Sequence, residues 1–272
     1  MDYKVKSVDT TKYISLHDCC AKKIFLKGSE LTLEMEWMEI DAEHPENPNG
    51  KAHSSDEGVI VFEDVIVLDV AVNDEKSSDA SFQEYNDTII MGFEEINVNS
   101  AYRYGVLDFL DNSDGYVCIT FLFKKSVIMW NELTDVSWFE ERRFKPEISN
   151  EEILKMLSYK NTIEIQEKGI RLASEIKWLG HLFQPTIGGE SKSLWENCAL
   201  VLSKKTDEQL RPWLIDCFIW LQDMNWPGAE IIADRLKIMR DTENYEYNKE
   251  KAIKIAEITN DEECIENIRQ YL

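Results

Sequence analysis

The stretch Leu31–Ile40, LTLEMEWMEI, decides the fold of the first half of this chain. Leu31, Leu33, Met35, Trp37 and Glu39 fall on one side of an extended backbone, and Thr32, Glu34 and Glu36 on the other. Such alternation fits a strand with one buried and one wet face. AKKIFL leads into this stretch through Lys27-Gly28-Ser29, a turn-forming triplet. Downstream, VIVFEDVIVLDVAV, TIIMGFEEINV, YRYGVLDFL and YVCITFLFKKSVIMW repeat the pattern, and Asp111-Asn112-Ser113-Asp114-Gly115 joins the last two as a hairpin loop. About six antiparallel strands predict a β-sandwich or a strongly curled sheet.

After ERRFKPEISN the period changes from two to 3.6. Ser149 with Glu152, and Thr206 with Gln209, have the spacing of capping boxes. Apolar positions from Ile163 through Ile176, Leu179 and Leu182 predict one long helix, ended after Gln184 by Pro185 and Gly188-Gly189. Further helices are expected over 191–203, up to Met224, over 226–239, and near 249–258 and 261–271. Pro212 requires that the fourth either start near Arg211 or kink there. Seven short helices with brief turns read as antiparallel hairpins, compatible with a HEAT-like stack. The fold class is therefore α+β, with an antiparallel β domain at 1–145 and an all-α domain at 146–272.

The chain carries 52 acidic against 30 basic residues, a formal charge of -22. Residues 41–120 hold eighteen acidic side chains against Lys51, Lys76 and Arg103. Nucleic acid and anionic membrane are poor partners for such a surface, because both are held through a basic footprint. A basic protein partner fits it, and Glu63, Asp64, Asp74, Glu75, Asp79 and Glu84 are the acids expected to meet that partner. The alternative is an acidic surface that only keeps the protein in solution. Six cysteines without a CxxC pair suit a reduced cytoplasmic chain. The first residues have no apolar run, and GVIVFEDVIVLDVAV is broken by Glu63, Asp64 and Asp69, so neither export nor membrane spanning is expected.

Chemistry-bearing residues are sparse. His17, Asp18, Cys19 and Cys20 offer an acid–base or metal set, but alternation sends His17 and Cys19 to one face and Asp18 and Cys20 to the other. His44 and His53 lie in a polar loop without the spacing of a metal motif, and no cofactor or metal is expected. IGGE at 187–190 precedes a helix and could receive an anion, although two glycines there also make an ordinary turn. No GxSxG, P-loop or GxGxxG is present, and no catalytic residue is assigned.

WLQDMNWPG, Trp220–Gly228, is the densest local signal. Asp223 and Asn225 are cap-forming types, with Asn225 the more natural N-cap, and Pro227 suits a first helical turn. Trp220 and Trp226 supply apolar area, and Asp223 is available to accept an indole N–H. The stretch therefore reads as a structural joint between helices. Residues 193–236 resemble a bacterial family of HEAT-like helical domains of unknown function with a WLQDxNWP signature, matched here by Trp220, Leu221, Gln222, Asp223, Asn225, Trp226 and Pro227. The LHDC and LTLEMEW segments are loosely similar to β-rich immunity proteins of polymorphic toxin systems. These resemblances imply a non-enzymatic antitoxin that occludes a basic, nuclease-type toxin. The alternatives are a HEAT-like adaptor for a peptide or protein, and an enzyme such as a HEAT-like DNA glycosylase. The last is opposed by 23 acidic against 16 basic residues over 146–272.

Overall fold

A computed structural model describes residues 3–73, 75–77, 82–112, 115–140, 148–187, 191–240 and 244–272, with backbone alone at 75–77. The chain divides into two compact units, Met1–Arg143 and Phe144–Leu272. The first is antiparallel β and the second helical.

In chain order the strands are β1 (Val5–Val8), β2 (Ile14–Ser15), β3 (Cys20–Lys27), β4 (Glu30–Met35), β5 (Glu39–Ile40), β6 (His53–Ser55) and β7 (Gly58–Glu63). They continue as β8 (Ile66–Val72), β9 (Glu75–Ser77), β10 (Tyr85–Asn97), β11 (Arg103–Leu110), β12 (Tyr116–Phe123), β13 (Lys125–Trp130) and β14 (Leu133–Val136). Among the described residues they form a ten-stranded sheet, ordered β1-β13-β7-β4-β3-β10-β11-β12-β8-β9, and a four-stranded sheet, β14-β6-β5-β2.

The large sheet is curled. Phe62 on β7 and Phe121 on β12 stand five places apart in strand order, which is about 24 Å in a flat sheet. Their ring centroids are 5.2 Å apart. Such proximity requires one leaf, β1-β13-β7-β4-β3, to fold over the other, β10-β11-β12-β8-β9, with the core between them. Phe62, Phe93, Phe121 and Phe123 meet in that core, mostly edge to face or tilted. The chain passes from leaf to leaf at two adjacent corners, β7 to β8 and β12 to β13. There the Lys124 N–H donates to the Glu63 carbonyl at 3.0 Å, and Asp64 takes a left-handed φ of 56°.

The alternation in LTLEMEWMEI holds through Glu36, with Leu31, Leu33 and Met35 buried and Glu34 and Glu36 exposed, but β4 ends at Met35, Trp37 is only half-buried, and Met38 and Ile40 are buried as the chain enters the small sheet. Glu39 also turns inward, in the small sheet, where its carboxylate accepts from Ser54 Oγ at 3.0 Å and from Ser137 Oγ. The predicted hairpin joins β11 and β12, with the Asp111 N–H donating to the Gly115 carbonyl at 2.9 Å.

The helical unit comprises α1 (Asn150–Met156), α2 (Ile163–Ala173), α3 (Lys192–Ser203), α4 (Asp207–Leu210), α5 (Leu214–Ile219), α6 (Ala229–Met239), α7 (Tyr245–Thr259) and α8 (Glu262–Tyr271). Both capping boxes form, Ser149 with Glu152 and Thr206 with Gln209. The long helix expected from Ile163 ends at Ala173, and Leu179–Leu182 is a separate 3₁₀ turn. Apolar spacing by three suits a 3₁₀ turn as well as an α-helix, so the pattern continued where the helix did not. At Pro212 the helix neither starts late nor bends smoothly. α4 ends, Arg211–Trp213 forms a 3₁₀ turn, and α5 follows, which removes the demand for the missing proline N–H. Consecutive helices pair at α1 with α2 and α7 with α8, while α3 packs on α6 and α5 on α7. No helix among the described residues is long and apolar enough to cross a membrane.

Candidate functional site

The joint comes first. Trp220 begins a 3₁₀ turn at the end of α5 and is fully buried. Its indole N–H donates to the Pro227 carbonyl at 3.3 Å, not to Asp223 as the side-chain inventory suggested. Asp223 instead accepts from the Asn225 backbone N–H at 2.8 Å and from the Asn225 side-chain amide at 3.0 Å, closing a tight Asx turn. Asn225 is therefore not the N-cap. That position is Gly228, with φ 85°, and α6 begins at Ala229, three residues later than the spacing predicted. Pro227 accordingly lies ahead of the first turn. Gly228 is required twice over: its φ disfavours a side chain, and an added Cβ would stand 2.5 Å from Ala199 Cβ on α3. Asn267 of α8 donates to the Leu221 carbonyl at 2.8 Å, tying a further helix to the same turn.

Around this joint the aromatic rings connect. Trp226 meets Trp195 at 5.5 Å, Trp195 meets Trp220 at 6.4 Å, Trp220 meets Phe183 at 6.2 Å, and Phe183 stacks on Trp213 at 5.7 Å. Trp178 completes the ladder against Trp213 at 4.9 Å, and Lys192 lies over Trp195 and Trp226. Five of the eight tryptophans thus form one structural assembly, signalled in the sequence by their crowding into 178–226. Nothing in it pairs a nucleophile with a base.

The histidines and cysteines do not converge. His17 pairs with Asp18 at 3.0 Å on the surface, whereas Cys19 turns inward, with its thiol pushed up to about 12 chiefly by burial. His53 Nδ1 lies 3.2 Å from the Thr134 carbonyl. His44 is buried; its Nδ1 accepts from the Glu46 N–H at 3.0 Å and its Nε2 lies 3.2 Å from Thr10 Oγ1, which donates to Ser7 at 2.8 Å. Acceptance at Nδ1 places the proton on Nε2, so the ring is neutral. Burial lowers its pKa in the same direction. No group of three metal-ligating side chains occurs among the described residues. Residues 188–190 of IGGE lie outside those residues, and α3 begins after them.

The expected partner-binding acids separate. Glu63 and Asp64 sit at the leaf-to-leaf corner and face Lys125 at 2.9 Å and Lys124 at 3.7 Å. Glu84 pairs with Lys23 at 3.0 Å. Asp74 and Asp79 lie outside the described residues, as does the side chain of Glu75. A stronger concentration stands at the other end of β7, six residues and about 20 Å from the corner. Exposed Glu34, Glu36 and Glu57 and half-buried Asp56 gather near Lys22 and Tyr3. Lys22 bonds Glu57 at 2.5 Å, and that bond, reinforced by Glu57, Glu36 and Glu34, raises its pKa. Burial first, then the fields of Glu34, Glu57 and Asp56, raises the Tyr3 hydroxyl. Lys22 thus stands among Glu57, Glu36 and Glu34, Lys23 lies opposite Glu34 in register, and Asp56 lies in the field of Lys4. The sequence signal is the outward pair Glu34 and Glu36 on the alternating strand, which precedes the acid-rich segment 41–120.

The geometry defines an α+β protein whose helical unit is built around an aromatic joint. Within the helical unit, residues 196–271 match a domain of unknown function (DUF5071). Neither a curated protein nor a solved structure matches the chain.

Proposed function

We propose that this protein is a non-enzymatic interaction module of the immunity type, which binds a basic toxin and occludes its active site. The observation that carries the reading is the carboxylate group at Glu34, Glu36, Asp56 and Glu57, set in a chain of formal charge -22. Opposite fields speed encounter and select partners, and a nuclease-type toxin presents a basic surface to its own anionic substrate. The WLQDxNWP string within the matched segment, and the β-rich first unit, support the resemblance to immunity proteins with HEAT-like helical domains.

The experiment is co-purification and calorimetry of the full chain with the protein encoded by the adjoining gene. Tight binding that weakens steadily with added salt is the expected result. Absence of binding at both low and physiological salt overturns the proposal. A second reading, an adaptor whose helical unit holds a peptide, is favoured by Trp178, 49% exposed at the open end of the ring ladder. Housekeeping genes on both sides, with no toxin gene, would favour that alternative.

A further inference from the structure

We infer that residues 41–52, the loop between β5 and β6, form a flap that is latched to the end of the large sheet by the His44 ring and released by acid. The inference is independent of the interaction reading above. Along 43–51 every residue is exposed except His44 and Asn47, and these two hold different structures together. The Asn47 side-chain amide donates to the carbonyls of Asp41 at 2.9 Å and Lys51 at 2.8 Å, and its Oδ1 accepts from the Asn49 N–H at 3.0 Å. Those bonds close the loop upon itself. His44 instead fastens it to the sheet, with its ring edge to face against Trp130 of β13 at 5.2 Å and Tyr13 at 6.0 Å, and its Nε2 3.2 Å from Thr10 Oγ1 beyond the end of β1.

The latch requires a neutral ring. Nδ1 accepts from the Glu46 N–H at 3.0 Å, and the Nε2 proton goes to Thr10, whose own hydroxyl proton is committed to Ser7 Oγ at 2.8 Å. A second proton, added at Nδ1, sets two donors against each other and places a charge on a ring that is 2% exposed. Burial accordingly lowers the His44 pKa, against the fields of Glu46 and Asp41. Both carboxylates belong to the flap itself, so their attraction for a protonated ring does not hold flap to sheet. Opposite the flap, Lys12 stands 4.6 Å from the centre of the Tyr13 ring and adds a like charge, Asp9 is paired with Arg103, and Trp130, Thr10 and Ser7 bring no charge. The base of the flap stays fixed through the pairing of β5 with β6 and through the Asp41 N–H, which donates to the Tyr13 carbonyl at 2.9 Å. Release is therefore a swing about these ends, and it uncovers Trp130, otherwise 1% exposed. The flap is shut above pH 6.5 and opens as pH falls below that value through the lowered pKa of the docked ring.

The test is hydroxyl-radical footprinting of the full chain, read by mass spectrometry at Trp130 with exposed Trp138 as the internal reference, from neutral pH down to the pH at which far-ultraviolet circular dichroism is first lost. Labelling of Trp130 should rise several-fold below pH 6.5 while the circular dichroism stays native. Amide exchange should show the Glu46 N–H losing protection over the same range and the Asn49 N–H, whose acceptor lies within the flap, keeping it. Thr10→Val removes the acceptor of Nε2 and weakens only the closed state, so it should move the opening midpoint up by about one pH unit for each tenfold loss of closure. His44→Gln should give labelling that does not change with pH. If Trp130 stays protected until the circular dichroism is lost, the ring acts on global stability alone and the flap assignment is wrong. It is equally overturned if His44→Gln opens along the parent's curve, or if Thr10→Val opens at the parent's midpoint.

Discussion

Replacing Gly228 by alanine tests the joint most directly. The backbone there has φ 85°, and a left-handed conformation costs an alanine about 1 to 2 kcal/mol. The new Cβ would lie 2.5 Å from Ala199 Cβ and 3.1 Å from the Trp195 carbonyl oxygen. Carbon pairs rest at about 3.5 to 4 Å, so α3 and α6 must part by roughly 1 Å. Overpacking of this order costs about 1 to 3 kcal/mol. The gain from a stiffer unfolded chain offsets less than about 1 kcal/mol. Gly228→Ala should therefore destabilise the helical unit by about 2 to 4 kcal/mol, read from urea denaturation followed by far-ultraviolet circular dichroism. Gly28 is the control: its φ is also left-handed, at 63°, but an added Cβ meets nothing within 4 Å. Gly28→Ala should cost only the conformational part. Adding Ala199→Gly to Gly228→Ala should recover part of the loss beyond the roughly 1 kcal/mol that a mid-helix glycine itself costs. Equal effects at Gly28 and Gly228, or no coupling between positions 199 and 228, would refute the close approach of α3 and α6 as the reason for this glycine.

Asp223→Ala removes the acceptor that closes the Asx turn and should cost about 1 kcal/mol, whereas Asn225→Ala removes one exposed bond and should cost a few tenths; urea midpoints of the two variants decide the order. His44 has a pKa lowered from 6.5 by burial, so its contribution to stability is present above pH 6.5 and is lost as pH falls through the folded value. His44→Gln should flatten that part of the stability–pH curve, and an unchanged curve would show that the ring does not govern it. Burial raises the Cys198 and Cys264 thiols to about 12 and that of Cys217 beyond it. In native-state alkylation at mildly alkaline pH followed by mass spectrometry, these three should remain unlabelled after half-buried Cys20 has reacted.

Local chemistry in the sequence determined which parts of the backbone extend and which coil. Alternation set Leu31, Leu33 and Met35 against Glu34 and Glu36, and the Ser149 and Thr206 capping boxes marked two helix starts correctly, because each depends on neighbours within a few residues. β2 and β5 were illegible, since two residues carry no period. The end of α2 was hidden because Ile176, Leu179 and Leu182 kept an apolar spacing beyond the point where the helix stopped. At the joint, the residue types promised a cap and favoured Asn225 for it. Only the approach of α3 to Gly228 placed the cap there. The acidic surface divided in the same way. Sequence determined the excess of charge, and tertiary structure decided its distribution, pairing Glu63, Asp64 and Glu84 with lysines distant in the chain and bringing Glu34, Glu36 and Glu57 to Lys22. Electrostatic interaction depends on separation in space, and strand register brings residues far apart in sequence within that range.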